Sequence, residues 1–581
     1  MPSVESAKLL FIQLPQQDTQ GESAADNVPF SSARLLAYAE ERGALKRDTA
    51  TILDQDALDF GGDAAICSAA VRGLPELIIF HLETWNLDRS VWMARRLRAL
   101  MPATHIAAFG PAAAESAELL KEQAFDALVE GEAESAFLEL LGDLGHRVIK
   151  PRYRGTPMEL EKLPDPYRCG ILPIRPEKPV IFEASRGGAH ALPYRYYPWK
   201  QGPERPAPKD AGPKLLKFAA AKGAANFMIQ GDVFSLAANR LSVIKGYAAA
   251  NETGINLRAE LKLDAVNDEE ARLWADASLA IADVPLPSLH ADTLSALNLN
   301  VDRDAFERAA RLFWSQGIGV RPELILGLPH ESYDSVIDGF DALGMMGIGQ
   351  DTDIKPLSLV PGCDLRNEAK RHGLREFLER PPYWIVETDW MTEDDLVDAI
   401  ADFEDSFDVA LAPAVKPCFS PLRGGFTSFA DLRAAGALDA LLVSPERLAS
   451  SVTLLLRADD DEGIKRLARA AKDLRKENPY CLWQLVLYSD SRLLDEKQAD
   501  RLADAFSMTE HYFELCHLYS LDPQPSFQTR VFFCTSSEAL ALQAMREQPS
   551  LETVLALGST LPGPKLLELK PFLAFDKDLT P

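Results

Sequence analysis

Apolar and polar positions near the start of the chain switch between two periods. KLLFIQLP, starting at Lys8, is a short apolar run that stops at Pro15, and SARLLAYAEERG, from Ser32 to Gly43, has helical spacing and stops at a glycine. TILDQ around Leu53 predicts a second strand. ELIIFHLE, from Glu76, predicts a third, apolar enough to be buried on both faces. NLDRSVWMARRLRALMP opens with an N-cap residue at Asn86 and ends near Pro102. HIAAFGP, ending at Pro111, predicts a fourth strand, and DALVEGEAES, from Asp126, a fifth that runs into a helix through Gly131. Strands alternating with helices at this rhythm predict a parallel sheet covered on both sides. Five strands suit the flavodoxin-like (Rossmann-type) order, which binds ligands at the carboxyl ends of its strands.

A Pro-, Arg- and Gly-rich stretch follows and reads as a linker. The pattern resumes at PVIFEASRGG, with strand candidates NFMIQGD (from Asn226), INLRAELKLD (from Ile255), SLAIADVP (from Ser278), VRPELILGLP (from Val320) and TDIKPLSLVPG (from Thr352). This predicts a full or partial parallel (TIM-type) barrel with functional residues at its C-terminal strand ends. KQGPERPAPKDAGPK, from Lys200, reads as an exposed loop. Beyond Asp389 an acidic helical stretch leads to strand-like runs (SVTLLLRA, LWQLVLYS, TRVFFCTS) separated by helical ones, read as an α+β region. The expected domains are 1–146, a linker 147–179, a barrel 180–388 and a C-terminal region 389–581.

Composition narrows the function classes. The chain has 581 residues, 47% hydrophobic and 25% charged, as globular proteins do. A net charge of −26 repels a polyanion, so nucleic acid is not an expected partner. The N-terminus lacks the basic-then-apolar pattern of a signal peptide, and no run is long and apolar enough to span a bilayer. The expected location is therefore cytoplasmic, without membrane attachment. The seven cysteines, Cys67, Cys169, Cys363, Cys418, Cys481, Cys516 and Cys534, are too widely spaced for a local zinc or iron–sulfur motif and read as free thiols.

The segment VIFEASRGGAHALPYRYYPWK, from Val180 to Lys200, carries the chemistry. It resembles the cobalamin-binding radical SAM family, methyltransferases among them, in which a first barrel strand ends in Ser-Arg-Gly and leads into C-x-x-x-C-x-x-C and Tyr-Tyr-Pro. Ser185, Arg186 and Gly187 match, as do Tyr196, Tyr197 and Pro198, but the three cysteine positions hold Gly188, Leu192 and Arg195. Three thiolates hold three irons of such a cluster and leave the fourth for S-adenosylmethionine. Glycine and leucine offer no ligand atom, and a guanidinium has no lone pair to give. The resemblance with this departure implies a degenerate member, a pseudoenzyme in the radical sense, with no iron–sulfur cluster. LILGLPHES, from Leu324, is similar to the family's Gly-Leu-Pro-Gly-Glu/Asp-Thr turn, with His330 in place of glycine. PLSLVPGCDLRNEAKRHGL, from Pro356, is similar to its Leu-x-x-x-Pro-Gly-Thr run, with Cys363 in place of threonine. LRAELKLD, from Leu257, resembles the third barrel strand, making Arg258 and Glu260, with Tyr196 and Tyr197, candidates for a substrate pocket. Where relatives often read Gly-Leu-Gln-Ser, this chain has Ala282-Asp283-Val284-Pro285, which puts S-adenosylmethionine binding in question.

The first domain resembles the family's cobalamin-binding domain, so cobalamin is the expected cofactor. The residues this implies at its strand ends are Gln13, Leu14, Pro15, Trp85, Asn86, Gly110, Pro111, Glu130, Gly131 and Glu132. The D-x-H-x-x-G motif of other cobalamin proteins is absent here, as it is in this family. His81, alone in an apolar strand, reads first as a core residue and second as a ligand. Acidic clusters around Glu393 and Asp459 lack calcium-loop spacing. Three functions follow as expectations: an accessory protein or pseudoenzyme that carries cobalamin, an enzyme moving a methyl group by polar displacement, and a scaffold without cofactors. The expected partner is another protein, or a small-molecule or peptide substrate.

Overall fold

The computed structural model describes residues 8–17, 27–113, 124–187, 192–195, 203–231, 239–411, 417–507, 511–521 and 526–548, and the strands at 552–556 and 572–574. The first sheet contains β1 (Leu9–Ile12), β2 (Ala50–Ile52), β3 (Leu77–His81), β4 (His105–Phe109), β5 (Ala127–Glu130) and β6 (Arg152–Arg154). Their spatial order is 2-1-3-4-5-6 and every pairing is parallel. This is the flavodoxin-like order expected, with one strand more, β6, drawn from the stretch that read as a linker.

All residues of β1 and β3 are buried because both faces of the sheet are covered. Leu10, Ile12, Ile78, Phe80 and Ile106 pack on the side of the helices Asp63–Arg72 and Leu87–Leu100. Leu9, Phe11, Ile79 and Phe109 pack on the side of Phe30–Glu41 and Ala133–Gly145. Each fully buried side chain of this size contributes roughly 1.5–3 kcal/mol.

The second sheet runs β7 (Val180–Glu183), β8 (Asn226–Gln230), β9 (Asn256–Glu260), β10 (Leu279–Pro285), β11 (Gly319–Leu326) and β12 (Asp353–Pro356), parallel and in chain order. Among the described residues β7 and β12 do not pair with each other, so the barrel is partial. Leu257, Ala259, Ala282, Val284 and Val320 belong to the core that also takes in Trp274, Phe306 and Phe313 of the helices. Strand alternation then turns Arg258, Glu260, Asp283, Arg321 and Glu323 to the opposite, concave side. The Pro-rich stretch after Lys200 is not all loop: Arg205–Pro206 pairs antiparallel with Ser185–Arg186, and a helix follows at Ala211–Ala220.

The C-terminal region corrects the α+β expectation. Phe426–Asp431, Leu448–Arg457, Leu482–Tyr488, Thr529–Thr535, Glu552–Ala556 and Phe572–Ala574 pair parallel, with an antiparallel strand only at Leu422–Arg423. The physical reason was present in the sequence. Leu482–Tyr488 and Thr529–Thr535 are buried at every position, the burial of strands covered on both faces. This sheet docks on the first domain: Gly62 N–H donates to Leu448 O at 2.9 Å, and the Tyr480 N–H donates to Asp63 at 2.7 Å. No helix among the described residues is long and apolar enough to cross a membrane.

Candidate functional site

The carboxyl ends of the first sheet face those of the barrel, and the space between them is a chain of joined cavities. One of about 350 Å³ is lined by Phe30, His81, Glu83, Gly110, Gly131, Glu132, Glu183, Arg186, Arg195 and Glu260, among others. A second, about 430 Å³, shares His81 and Glu83 with it and extends over Gln13, Leu14, Pro15, Trp85 and Asn86. A third, about 290 Å³, shares Glu83, Pro111 and Arg195 and reaches Glu323 and Lys355. A fourth, about 450 Å³, shares Glu260 and runs between largely apolar walls.

The first-domain residues divide by role. Gly110 has φ +107, and a Cβ there would lie 2.6 Å from Leu82 O and 3.0 Å from the His81 ring, so backbone and imidazole meet only because this residue has no side chain. Gly131 also takes a left-handed φ, +74. Gln13 donates to Val28 O at 3.1 Å, while its Oε1 is buried without a hydrogen-bond partner. Asn86 is a brace, donating to Leu14 O and His81 O at 3.0 and 3.2 Å. Trp85 is 39% exposed at the cavity wall. Glu130 turns away: Arg152 and Arg154 of β6 take its carboxylate, and it lines none of the four cavities.

His81 and Glu83 form a pair the sequence pointed to only in part. His81 Nε2 is 3.5 Å from Glu83 Oε1, and its Nδ1 is buried with no hydrogen-bond partner. Burial pushes the imidazole down to about 4 and the Glu83 carboxyl up to about 8, so at neutrality both are largely uncharged. The cations of these cavities pair with other acids: Arg34 with Glu183, Arg195 with Glu260 and Glu323, Lys355 with Glu323.

A buried ionic cluster joins the two sheets. Arg186, of the Ser-Arg-Gly motif, reaches Glu183 at 2.6 Å, Glu134 at 2.8 Å and Glu132 at 3.3 Å. Arg205 holds Glu132 from the adjoining short strand, and Arg34 holds Glu183 at 2.5 Å. Burial works against the Arg186 charge, but Glu183 and Glu134 outweigh it and raise its pKa. Glu132, expected at a cofactor, is thus a domain tie that also lines the 350 Å³ cavity.

At the barrel mouth, Leu192 is buried in the wall of the 450 Å³ cavity. Arg195 Nη1 lies 3.1 Å from Glu260 Oε2, and its other terminal nitrogen contacts Glu323. Lys355 Nζ holds the second Glu323 oxygen at 2.6 Å. Burial opposes ionisation of Glu323, yet Arg195 and Lys355 outweigh it and bring its pKa down to about 2. Arg258 is taken by Asp283 at 2.6 Å, one layer deeper. Gly188, Tyr196 and Tyr197 lie outside the described residues. Sequence reasoning missed Glu83, Glu323 and Lys355. The signal was a lone charge inside or beside an apolar strand, which burial makes costly unless it is used.

All seven cysteines are among the described residues, and none lines these cavities. Cys363 has a local structural part: its Sγ accepts the Arg366 N–H at 3.4 Å and caps the helix Asp364–Asn367. No group of three or more His, Cys, Asp or Glu among the described residues is placed to hold a metal ion. The acidic clusters cap helices, Thr392 with Asp395 at Glu393–Phe407 and Asp460 at Asp461–Glu477. His330 takes a left-handed φ of +63 where glycine would be at ease, and its ring packs 4.4 Å from Trp390.

Comparison with known proteins agrees with the resemblance read from the motifs. No family model matches the chain. It is 22% identical over 350 residues to the cobalamin-dependent radical SAM methyltransferase TokK from Streptomyces tokunonensis, covering 53% of this chain and 51% of that protein. The chain thus matches about half the length of this curated relative. The fold is similar to that of the radical S-adenosylmethionine methyltransferase TsrM from Kitasatospora setae, solved with cobalamin and a [4Fe-4S] cluster. That match has a TM-score of 0.50 and 14% identity over 64% of this chain and 76% of that one. It is also similar to the cobalamin-dependent S-adenosylmethionine radical enzyme OxsB, solved with aqua-cobalamin and S-adenosylmethionine. There the TM-score is 0.54 and the identity 12%, over 69% of this chain and 67% of that one.

Proposed function

We propose that this relative of the cobalamin-dependent radical SAM enzymes binds a corrinoid between its two facing sheets and works without an iron–sulfur cluster. The observation that carries the reading is Arg195. It stands where the family places a cluster thiolate, and its guanidinium is held by Glu260 and Glu323. A permanent cation anchored by two acids is the wrong chemistry for iron, and Leu192 beside it gives no lone pair.

The strand ends of the first domain fit a corrinoid. Gly110, Pro111 and Gly131 bring backbone close to a flat ligand, and Gln13 Oε1 and His81 Nδ1 are buried polar atoms in want of partners. A bound methylcobalamin would supply a methyl group. The chain's own residues then hold the two sheets in register through the Arg186 cluster and shape the apolar wall around Leu192. The first reading is a corrinoid-carrying accessory protein or non-radical member of the methyltransferase group.

Glu83 favours a second reading, polar methyl transfer. A carboxyl that ionises at about 8, where three cavities meet, can in its ionised form take the proton of a nucleophile as that nucleophile accepts a methyl group, so transfer by this route should quicken as pH rises through about 8.

The test is the absorption spectrum of anaerobically purified protein with cobalt, iron and sulfide analysis. A corrinoid spectrum with cobalt and no iron is expected. Stoichiometric iron and sulfide would sink the cluster-free reading, and a colourless protein that takes up no hydroxocobalamin would leave a scaffold without cofactors. Methyl transfer from methylcobalamin by the pink protein would select the second reading.

A further inference from the structure

The charges around the barrel mouth alternate in sign. From β9 to β12 they run Glu260, Arg195, Glu323, Lys355, each in contact with the next. The Arg195 and Glu260 side chains keep 30% and 27% of their surface exposed, and both line the 350 Å³ cavity, so a small molecule can reach them. Glu260 also lines the 450 Å³ cavity, whose walls include Leu192, Leu261, Val284, Leu286 and Phe306. A cation and an anion 3.1 Å apart thus stand at the entrance to an apolar space large enough for a bulky side chain.

We propose that Arg195 and Glu260 receive the zwitterionic head of an α-amino acid bearing a large apolar group. The carboxylate lies on the Arg195 guanidinium, the ammonium on Glu260, and the apolar body in the 450 Å³ cavity. The ligand replaces one internal ion pair with two to itself, so no charge is left unmatched. Arg195 suits the role because its planar fork binds a carboxylate at two points. Lys355 keeps Glu323 compensated when Arg195 turns to the ligand. The inference rests on the cluster-free reading, since an iron with an open position at this place would compete for the same head group. S-adenosylmethionine carries the same head, but its sulfonium and nucleoside are polar where this cavity is apolar, so a free amino acid is the better fit.

The experiment uses the full chain with its iron content measured in the same sample. Titration calorimetry compares L-phenylalanine, its amide, its N-acetyl derivative, L-alanine and S-adenosylhomocysteine. L-phenylalanine is expected to bind more tightly than S-adenosylhomocysteine, whose polar nucleoside does not suit the apolar cavity, and the reverse order would overturn the proposal. The amide and the N-acetyl derivative should each bind about tenfold or more weakly than the parent, a difference of about 1.4 kcal/mol. L-alanine should be weaker because it leaves the apolar cavity unfilled. Arg195→Gln should erase the discrimination against the amide, and Glu260→Gln that against the N-acetyl derivative. The ligand series on the unaltered chain decides the matter even if a variant fails to fold. Indifference to the head-group charges, or no binding at all, in iron-free protein overturns this inference alone. Iron and sulfide in the sample overturn the reading beneath it.

Discussion

At the scale of the residue, His81 and Glu83 are the most instructive pair. Neither is charged to any great extent at neutrality, although they lie 3.5 Å apart. Burial favours the neutral form of each, and its effects on stability have opposite signs. The Glu83 carboxyl is raised from 4.5 to about 8, so the folded chain binds a proton the unfolded chain has released. Its contribution is therefore full below about 4.5 and is lost as pH rises through about 8. His81, lowered from 6.5 to about 4, resists protonation, and its contribution is lost as pH falls through that lower window. Melting temperature followed against pH should decline on the alkaline side, and Glu83→Gln should flatten that decline without changing the acidic limb. An unchanged alkaline limb would show Glu83 to be ionised in the folded chain. Glu331, also raised to about 8 by burial, adds a slope of the same sign that the variant leaves in place. From sequence, His81 was visible as a lone histidine in an apolar run, but Glu83 was not, because the strand pattern does not say that the next turn folds back under a second domain.

Among the elements, alternation along the strands was legible and pairing between them was only partly so. The flavodoxin-like order followed from the β1–β5 rhythm and is present. The sixth strand escaped because Arg152–Arg154 is short and polar and gains its place by pairing with β5 and by the salt bridges of Glu130. Which face of Arg258–Glu260 turns inward could not be read from one strand; it follows from the neighbours that bury Leu257 and Ala259. Glu132 was legible as a strand-end residue but not as half of a tie, since Arg186 and Arg205 lie 54 and 73 residues away. That tie predicts a large effect. Arg186→Gln leaves Glu183 and Glu134 buried with less compensation and should cost about 3–5 kcal/mol. Urea denaturation measures it, and a loss under about 1 kcal/mol would place the ionic cluster in solvent rather than in the core.

For the molecule as a whole, three wholly or largely parallel sheets are joined by buried polar contacts at two junctions. The second junction, between the first domain and the C-terminal sheet, centres on Asp63, which is fully buried. It accepts from Arg89 at 2.7 Å and from the Tyr480 N–H at 2.7 Å, while Asn478 accepts the Ala64 N–H at 3.0 Å. Asp63→Ala leaves Arg89 buried without this partner and frees the Tyr480 amide. Hydrogen exchange should accelerate at Tyr480 and Gly62 ahead of global unfolding. Equal protection in both proteins would mean that apolar packing alone holds the sheet. Nothing in the sequence marks this junction, because its partners are about four hundred residues apart and each looks like an ordinary helix or turn residue.

The order of strands in the C-terminal sheet has a consequence for how the chain tolerates shortening. Because that sheet is laid down in chain order, loss of residues from the C-terminal side strips it one row at a time from that edge. Glu552–Ala556 and Phe572–Ala574 act as a hem, and beneath them Thr529–Thr535 offers a strand buried along its whole length. A chain cut after Gln548 should keep its sheet but bare that strand as a sticky border, and light scattering should find it self-associating where the intact chain is not.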